Sequence, residues 1–135
     1  MAREFIDTNI LVYAFTADPK SVIAATILQR RCVTSVQALN EFVNVARRKL
    51  AMDWAEIDEA LKAIRILCSA VYPIDLEIHE RAVKLAERHG FAIFDALMVA
   101  SALKSGADTL HSEDMQHGML IEGQLRISNP FRKTL

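Results

Sequence analysis

The sequence predicts an α/β fold with a mainly parallel sheet, and three observations carry that expectation. Short apolar runs stop at acids or hydroxyls: Phe5-Ile6 at Asp7, Cys32-Val33-Thr34 at Ser35, Val71-Tyr72-Pro73-Ile74 at Asp75, and the stretch from Asp108 to His111 at Ser112. Those stops are residue types that cap helices, and stretches of helical period follow the first three. Strand and helix signals therefore alternate, which is the pattern of a parallel sheet covered by helices. No repeat, linker or low-complexity segment interrupts the 135 residues, so residues 1–135 are read as one domain. A chain of this length is expected to bury about two thirds of its unfolded surface, enough for its own core.

In order, Phe5-Ile6 reads as a buried strand that delivers Asp7 to its C-terminal end. Thr8 and Asn9 are capping residues before the apolar run Ile10 to Ala14. Asp18-Pro19 signals a helix from about residue 19 to 29. Ser35 caps a helix to about Leu50, with Leu39, Phe42, Val43, Ala46 and Leu50 on one stripe and Glu41 off it, between Ala38 and Val45. Asp53 and Glu56 have capping-box spacing for a helix to about Ser69, and Trp54 is expected to anchor it by packing. Proline in the run 71–74 points to an edge strand or a strand end, and Asp75 opens a helix that Gly90 closes. Residues 94–105 are nearly all apolar and form a helix buried on most sides, with Asp95 in its first turn. A strand over 108–111 leads to a short helix beginning near Ser112-Glu113-Asp114. Glu122-Gly123 then turns the chain into a strand over 125–128, followed by a basic tail.

Net charge is −1 and the hydrophobic fraction 52%. No global basic field announces a nucleic-acid partner, so any such contact rests on local cations or on bound metal. The apolar excess leaves room for association, and a homodimer is expected. Cys32 and Cys68 sit among apolar residues without metal-ligand spacing, as buried thiols of a reducing compartment do. With no signal peptide or membrane-length apolar run, the expected location is the cytoplasm.

Four acids stand out. Asp7 and Asp114 follow strands, Asp95 opens a helix, and Glu41 lies one to two turns into a helix that follows a strand. Taken singly, Asp7 serves equally as a helix cap and Glu41 as a surface glutamate. Right-handed crossovers, however, bring strand-to-helix turns to one edge of the sheet, where distant residues converge. Carboxylates gathered without Lys or His repel one another, and the usual compensation is a hard divalent cation, Mg²⁺ or Mn²⁺. Such ions promote phosphodiester hydrolysis, which makes a metal-dependent nuclease the leading reading.

Phe5-Ile6-Asp7-Thr8-Asn9, Leu39-Asn40-Glu41-Phe42, Phe94-Asp95-Ala96, the stretch Ser112 to Gly118 and the closing Ile127-Ser128-Asn129-Pro130-Phe131 together resemble the PIN-domain ribonucleases. The nearest likeness is to the VapC-like toxins of toxin-antitoxin pairs. The resemblance spans nearly the whole chain and departs from many relatives at Phe94, where they carry Trp. It implies a three-layer α/β/α sandwich, and a site in which Asp7, Glu41, Asp95 and Asp114 bind Mg²⁺ or Mn²⁺ while Asn9 and Ser112 orient ligands or water. It further implies endonucleolytic cleavage of RNA, a cognate antitoxin and a dimeric protein. The expected chemistry is direct attack by water without a covalent intermediate, leaving a 5′ phosphate and a 3′ hydroxyl. Ser112 is expected to bond Asp114 or that water, and Arg47 and Arg48 to touch the RNA backbone.

Two other classes compete. A phosphotransfer enzyme or receiver domain also places Asp at the end of its first strand, but a phosphatase of that kind wants a second Asp at position 9, which here is Asn9. A catalytically inactive PIN-like module that binds RNA or a partner is the second, and a cleavage assay with and without Mg²⁺ separates it from the enzyme.

Overall fold

The computed structural model describes residues 3–132. Its strands are β1 (Glu4–Ile6), β2 (Val33–Ser35), β3 (Ala70–Tyr72), β4 (Thr109–His111), β5 (Leu120–Ile121) and β6 (Leu125–Ser128). The helices are α1 (Thr8–Ala14), α2 (Ser21–Leu28), α3 (Val36–Arg48), α4 (Trp54–Leu67), α5 (Leu76–His89) and α6 (Ile93–Ser105). The strands form one sheet in the order β3-β2-β1-β4-β6-β5, parallel throughout except for the antiparallel pairing of β5 with β6. This is the expected α/β/α sandwich with a mainly parallel sheet.

Local chemistry explains most boundaries. Ser35 accepts from the Ala38 N–H at 3.2 Å, and Asp75 from that of Ile78 at 2.9 Å. Asp53 and Glu56 close the predicted capping box. Gly90 and Gly106 end α5 and α6 with φ of 76° and 77°, a left-handed conformation open to glycine at little cost. The buried central strands contribute Phe5, Ile6, Val33, Leu110, Leu125 and Ile127 to the core. On α3 the inward face is Ala38, Phe42 and Ala46, with Leu39 and Val43 packed beside them. Helix α6 is buried along nearly its whole length, as its apolar sequence requires. Its run back from one sheet edge to the start of β4 places its N-terminus, with Asp95, at the C-terminal edge of the parallel strands.

Several expectations need correction. Helix α2 starts at Ser21, because Pro19 lies in a turn in which Asp18 accepts from the Lys20 N–H at 2.8 Å. Asp7 itself caps α1, so Thr8 and Asn9 are already helical. No helix follows Ser112. That segment is bends and a turn, held by the Ser112 N–H on Ser128 O at 2.9 Å and the Gly118 N–H on Ile127 O at 2.8 Å. The Gly118 N–H, which a helix would direct back to Asp114 O, is thereby committed to β6. The short strand β5 was not anticipated, since two residues carry too little pattern. Trp54 is 62% exposed instead of packed, with the Arg47 guanidinium 4.7 Å from the centre of its ring. The tail beyond residue 132 lies outside the described residues. Cys32 and Cys68 are both buried and unpaired by disulfide, and β3 is the edge strand that Pro73 suggested. Among the described residues no helix is long and apolar enough to cross a membrane.

Candidate active site

Register places the first two site residues. Ile6 pairs with His111 in the parallel β1–β4 ladder, and the Asp7 N–H extends that ladder onto His111 O at 3.0 Å. Asp7 and Ser112 therefore leave the sheet side by side, and Ser112 Oγ donates to Asp7 Oδ2 at 2.8 Å. The other carboxylate oxygen, Oδ1, accepts from the Thr8 N–H at 2.6 Å at the start of α1. Thr8 Oγ1 in turn donates to Glu41 Oε2 at 3.2 Å, tying α1 to α3. Asn9 Nδ2 donates to Asp114 Oδ2 at 3.3 Å. Ser112 thus serves Asp7, and it is Asn9 that serves Asp114.

Asp7, Glu41, Asp95 and Asp114 all line one cleft of about 370 Å³, together with Thr8, Asn9, Val12, Tyr13, Val45 and Lys49. Neither Arg47 nor Arg48 lines it. Arg47 is held against Trp54 and donates to Met52 O at 3.1 Å, and the cation at the cleft is Lys49. A larger depression of about 500 Å³ opens elsewhere, lined by Arg81, Lys84, Leu85, Glu87, Arg88 and Glu122. Its charges are of mixed sign and partly paired, as between Arg81 and Glu122 at 3.2 Å, so it has the character of a solvated face.

The cleft gathers four carboxylates and one lysine. Burial pushes the Asp7 carboxyl up to about 6 despite the bonds from Thr8 and Ser112, with the charges of Asp95 and Glu41 adding to the rise. Burial also raises Glu41 and Asp95, assisted by the charge of Asp95 on Glu41 and of Asp114 on Asp95. Among the described residues none of the four enters an ion pair. Nor, among those residues, do three His, Cys, Asp or Glu side chains converge closely enough to hold a metal ion between them. An all-oxygen donor set in an open cleft suits a hard cation such as Mg²⁺, which keeps several waters and takes one or two carboxylates. In donor type the four carboxylates match such an ion, while in this arrangement no three of them are gathered around one point.

Sequence reasoning missed Thr8, Val12, Tyr13 and Val45 as lining residues. Val12 and Tyr13 stand three or four places beyond Asn9 on α1, a helical spacing that brings them to the same side. Lys49 follows Arg47 and Arg48 in one basic cluster, which the sequence offers as a phosphate contact.

Fold and cleft together define an α/β/α protein with an acidic site at the C-terminal edge of its parallel strands. The PIN domain profile matches residues 5–117, and the chain belongs to the PIN-domain family. VapC20 of Mycobacterium tuberculosis, described as a sarcin-ricin loop cleaving toxin, shares the fold with a TM-score of 0.65 and 21% identity, over 82% of this chain and 89% of that one. A chain of a toxin-antitoxin complex from Klebsiella pneumoniae superposes with a TM-score of 0.73 at 19% identity, over 96% of this chain and 99% of the other. A chain of VapBC2 from Rickettsia felis, bound to a promoter DNA fragment, gives 0.65 at 19%, over 93% and 98%. At such identities the likeness carries the fold alone. No curated protein matches the chain by sequence.

Proposed function

We propose that this chain, as a single PIN unit of residues 1–135, is a metal-dependent endoribonuclease and the toxin of a toxin-antitoxin pair, acting in the cytoplasm. The observation that carries the catalytic half is the cleft lined by Asp7, Glu41, Asp95 and Asp114, none of which enters an ion pair among the described residues. The toxin half is supported by likeness to a chain of a toxin-antitoxin complex and to VapC20, described as a cleaving toxin. Asp7, Asp95 and Asp114 would hold Mg²⁺ or Mn²⁺, with Glu41 completing the set. When bound, the ion supplies Lewis-acid activation of water and neutralises charge at the scissile phosphate.

The chain's own residues do the positioning. Ser112 and the Thr8 N–H hold the two oxygens of Asp7 in fixed directions, so that its rotamer is set before any ligand arrives. Thr8 restrains Glu41, leaving that carboxylate to orient the attacking water or join the ion. Asn9 steadies Asp114. Lys49, at the mouth of the cleft, is the cation best placed for a backbone phosphate and replaces Arg47 and Arg48 in that role. An antitoxin or a second copy would cover exposed apolar side chains such as Val22 and Ile23 on α2 or Leu76 and Phe94 on α5 and α6.

The test is incubation of purified protein with cellular RNA in Mg²⁺, in Mn²⁺ and in EDTA, with Asp7→Asn and Asp95→Asn alongside. Metal-dependent cleavage by the wild type alone is the expected result. RNA binding without cleavage would establish the inactive-module reading instead.

A further inference from the structure

Asp114 sits in a loop with no helix to hold it, and its neighbour Glu113 supplies the anchor. The Glu113 carboxylate accepts from the Tyr13 phenol at 2.8 Å and pairs with the Lys20 ammonium. Lys20 also donates to Tyr13 Oη at 3.4 Å, and its charge lies 4.9 Å from the centre of the Tyr13 ring and 5.5 Å from that of Phe131. Those two rings meet edge to face at 5.0 Å. The backbone of Glu113 is tied as well: its N–H donates to Asn9 Oδ1 at 3.4 Å, and its carbonyl accepts from Asn129 Nδ2 at 3.5 Å. Asn9 is the same side chain whose Nδ2 reaches Asp114.

We propose that Glu113, clamped by Tyr13 and Lys20, is a positioning residue that fixes Asp114 against Asn9 and so completes the acidic cleft. The inference rests on the nuclease reading of that cleft. Glu113 does not itself line the cleft, since its side chain is engaged by Tyr13 and Lys20. Its effect passes through one amide: moving Glu113 moves the N–H that holds Asn9 Oδ1, and with it the amide nitrogen bonded to Asp114. An ordinary surface pair joins two elements and ends there. This one joins the turn before α2, helix α1 and the loop after β4 at the point where that loop carries a site carboxylate.

The experiment compares wild type, Glu113→Ala, Glu113→Gln, Lys20→Met and the double variant Glu113→Gln/Lys20→Met. Three quantities are read: Mn²⁺ affinity by paramagnetic resonance titration, kcat and KM for RNA cleavage, and hydrogen exchange at the Glu113 amide. Glu113→Ala is expected to lose about tenfold in both Mn²⁺ affinity and kcat, the range typical of groups that orient metal ligands, with KM unchanged. Glu113→Gln keeps an acceptor for Tyr13 and loses less. Lys20→Met and Glu113→Gln together cost no more than the worse of the two, because both break one pair. The Glu113 amide exchanges faster in the alanine variant. Wild-type Mn²⁺ affinity and kcat in Glu113→Ala and Lys20→Met, or a change in KM alone, would overturn the proposal. A wild type that neither binds Mn²⁺ nor cleaves RNA defeats the nuclease reading; exchange at Glu113 then decides the clamp by itself, faster exchange in Glu113→Ala upholding it and unchanged exchange removing it.

Discussion

Asp7 is a helix cap and a site carboxylate at once, and the two duties conflict electrostatically. As a cap its charge is welcome at the N-terminus of α1. As a buried acid facing Asp95 and Glu41 it is held up to about 6, well above the unbound carboxylate value of 3.8. The folded state therefore keeps a proton that the unfolded chain has already released. Stability from Asp7 is fully present below pH 3.8 and is lost as pH rises through about 6. A shift of this size corresponds to roughly 3 kcal/mol at neutral pH. Metal-free protein is expected to melt progressively lower between mildly acidic and neutral pH. Asp7→Asn keeps volume and an acceptor for the Thr8 N–H, so it should flatten that slope and raise the neutral-pH melting temperature in EDTA while abolishing cleavage. A mutant that melts below wild type in EDTA, or that still cleaves RNA in Mn²⁺, contradicts this account. Ser112→Ala removes the donor at Asp7 Oδ2 and is expected to reduce cleavage about tenfold without unfolding the protein. Unchanged kcat in that variant would show that Thr8 alone orients the carboxylate.

At the level of elements, α6 brings Asp95 to the cleft because it is clamped at its far end. Gly106 terminates it at φ 77°, and a Cβ placed there meets nothing within 4 Å. Gly106→Ala should therefore cost only the left-handed backbone penalty, about 1–2 kcal/mol in denaturant unfolding. A larger loss would reveal packing that the open space does not suggest. Helix α3 has the same logic at its start: Ser35 caps it, Phe42 is wholly buried, and Glu41 is carried between them. Phe42→Ala should cost about 3–5 kcal/mol through the cavity it leaves, and by loosening α3 it should impair Glu41 without touching the cleft. Circular dichroism and urea titration measure the first effect, and cleavage by the remaining folded protein measures the second.

For the whole molecule, the carboxyls of Asp7, Glu41 and Asp95, raised by burial and mutual charge, make a structure that gains from a cation. Binding to the folded state alone adds about 2.7 kcal/mol when free metal is 100 times Kd. Mn²⁺ is accordingly expected to raise the wild-type melting temperature at neutral pH and to leave Asp7→Asn nearly unmoved. An unchanged wild-type melting temperature would remove the physical basis of the metal site. Association is the second property of this scale. Val22 is 71% exposed and Leu76 69%, surface that a partner would cover. Light scattering is expected to give a dimer or a complex with a small protein, and a clean monomer at micromolar concentration with no protein recovered by pull-down would count against both.

Much of this was legible in the sequence because its signals are local. Apolar runs ending at caps specify strands followed by helices, and the crossover rule then orders those ends along one edge, which is how the sequence points to Asp7, Glu41, Asp95 and Asp114. In the Asp53 capping box, whose partners lie within one turn of chain, pattern and structure agree, whereas Asp18 bonds the Lys20 N–H in a turn and starts no helix there. Partners distant in sequence belong to the tertiary structure. Ser112 bonds Asp7 and not Asp114 because β1 and β4 are neighbours in a particular register. The stretch after Ser112 runs as bends and a turn, with the Gly118 N–H bonded across to β6 instead of back along a helix. Trp54 lies outside under Arg47, although its sequence context is equally compatible with burial. Composition and period decide which residues can face inward or cap an element; only the packed sheet decides which distant side chain meets which, and so which hydroxyl, amide or lysine holds each carboxylate of the cleft.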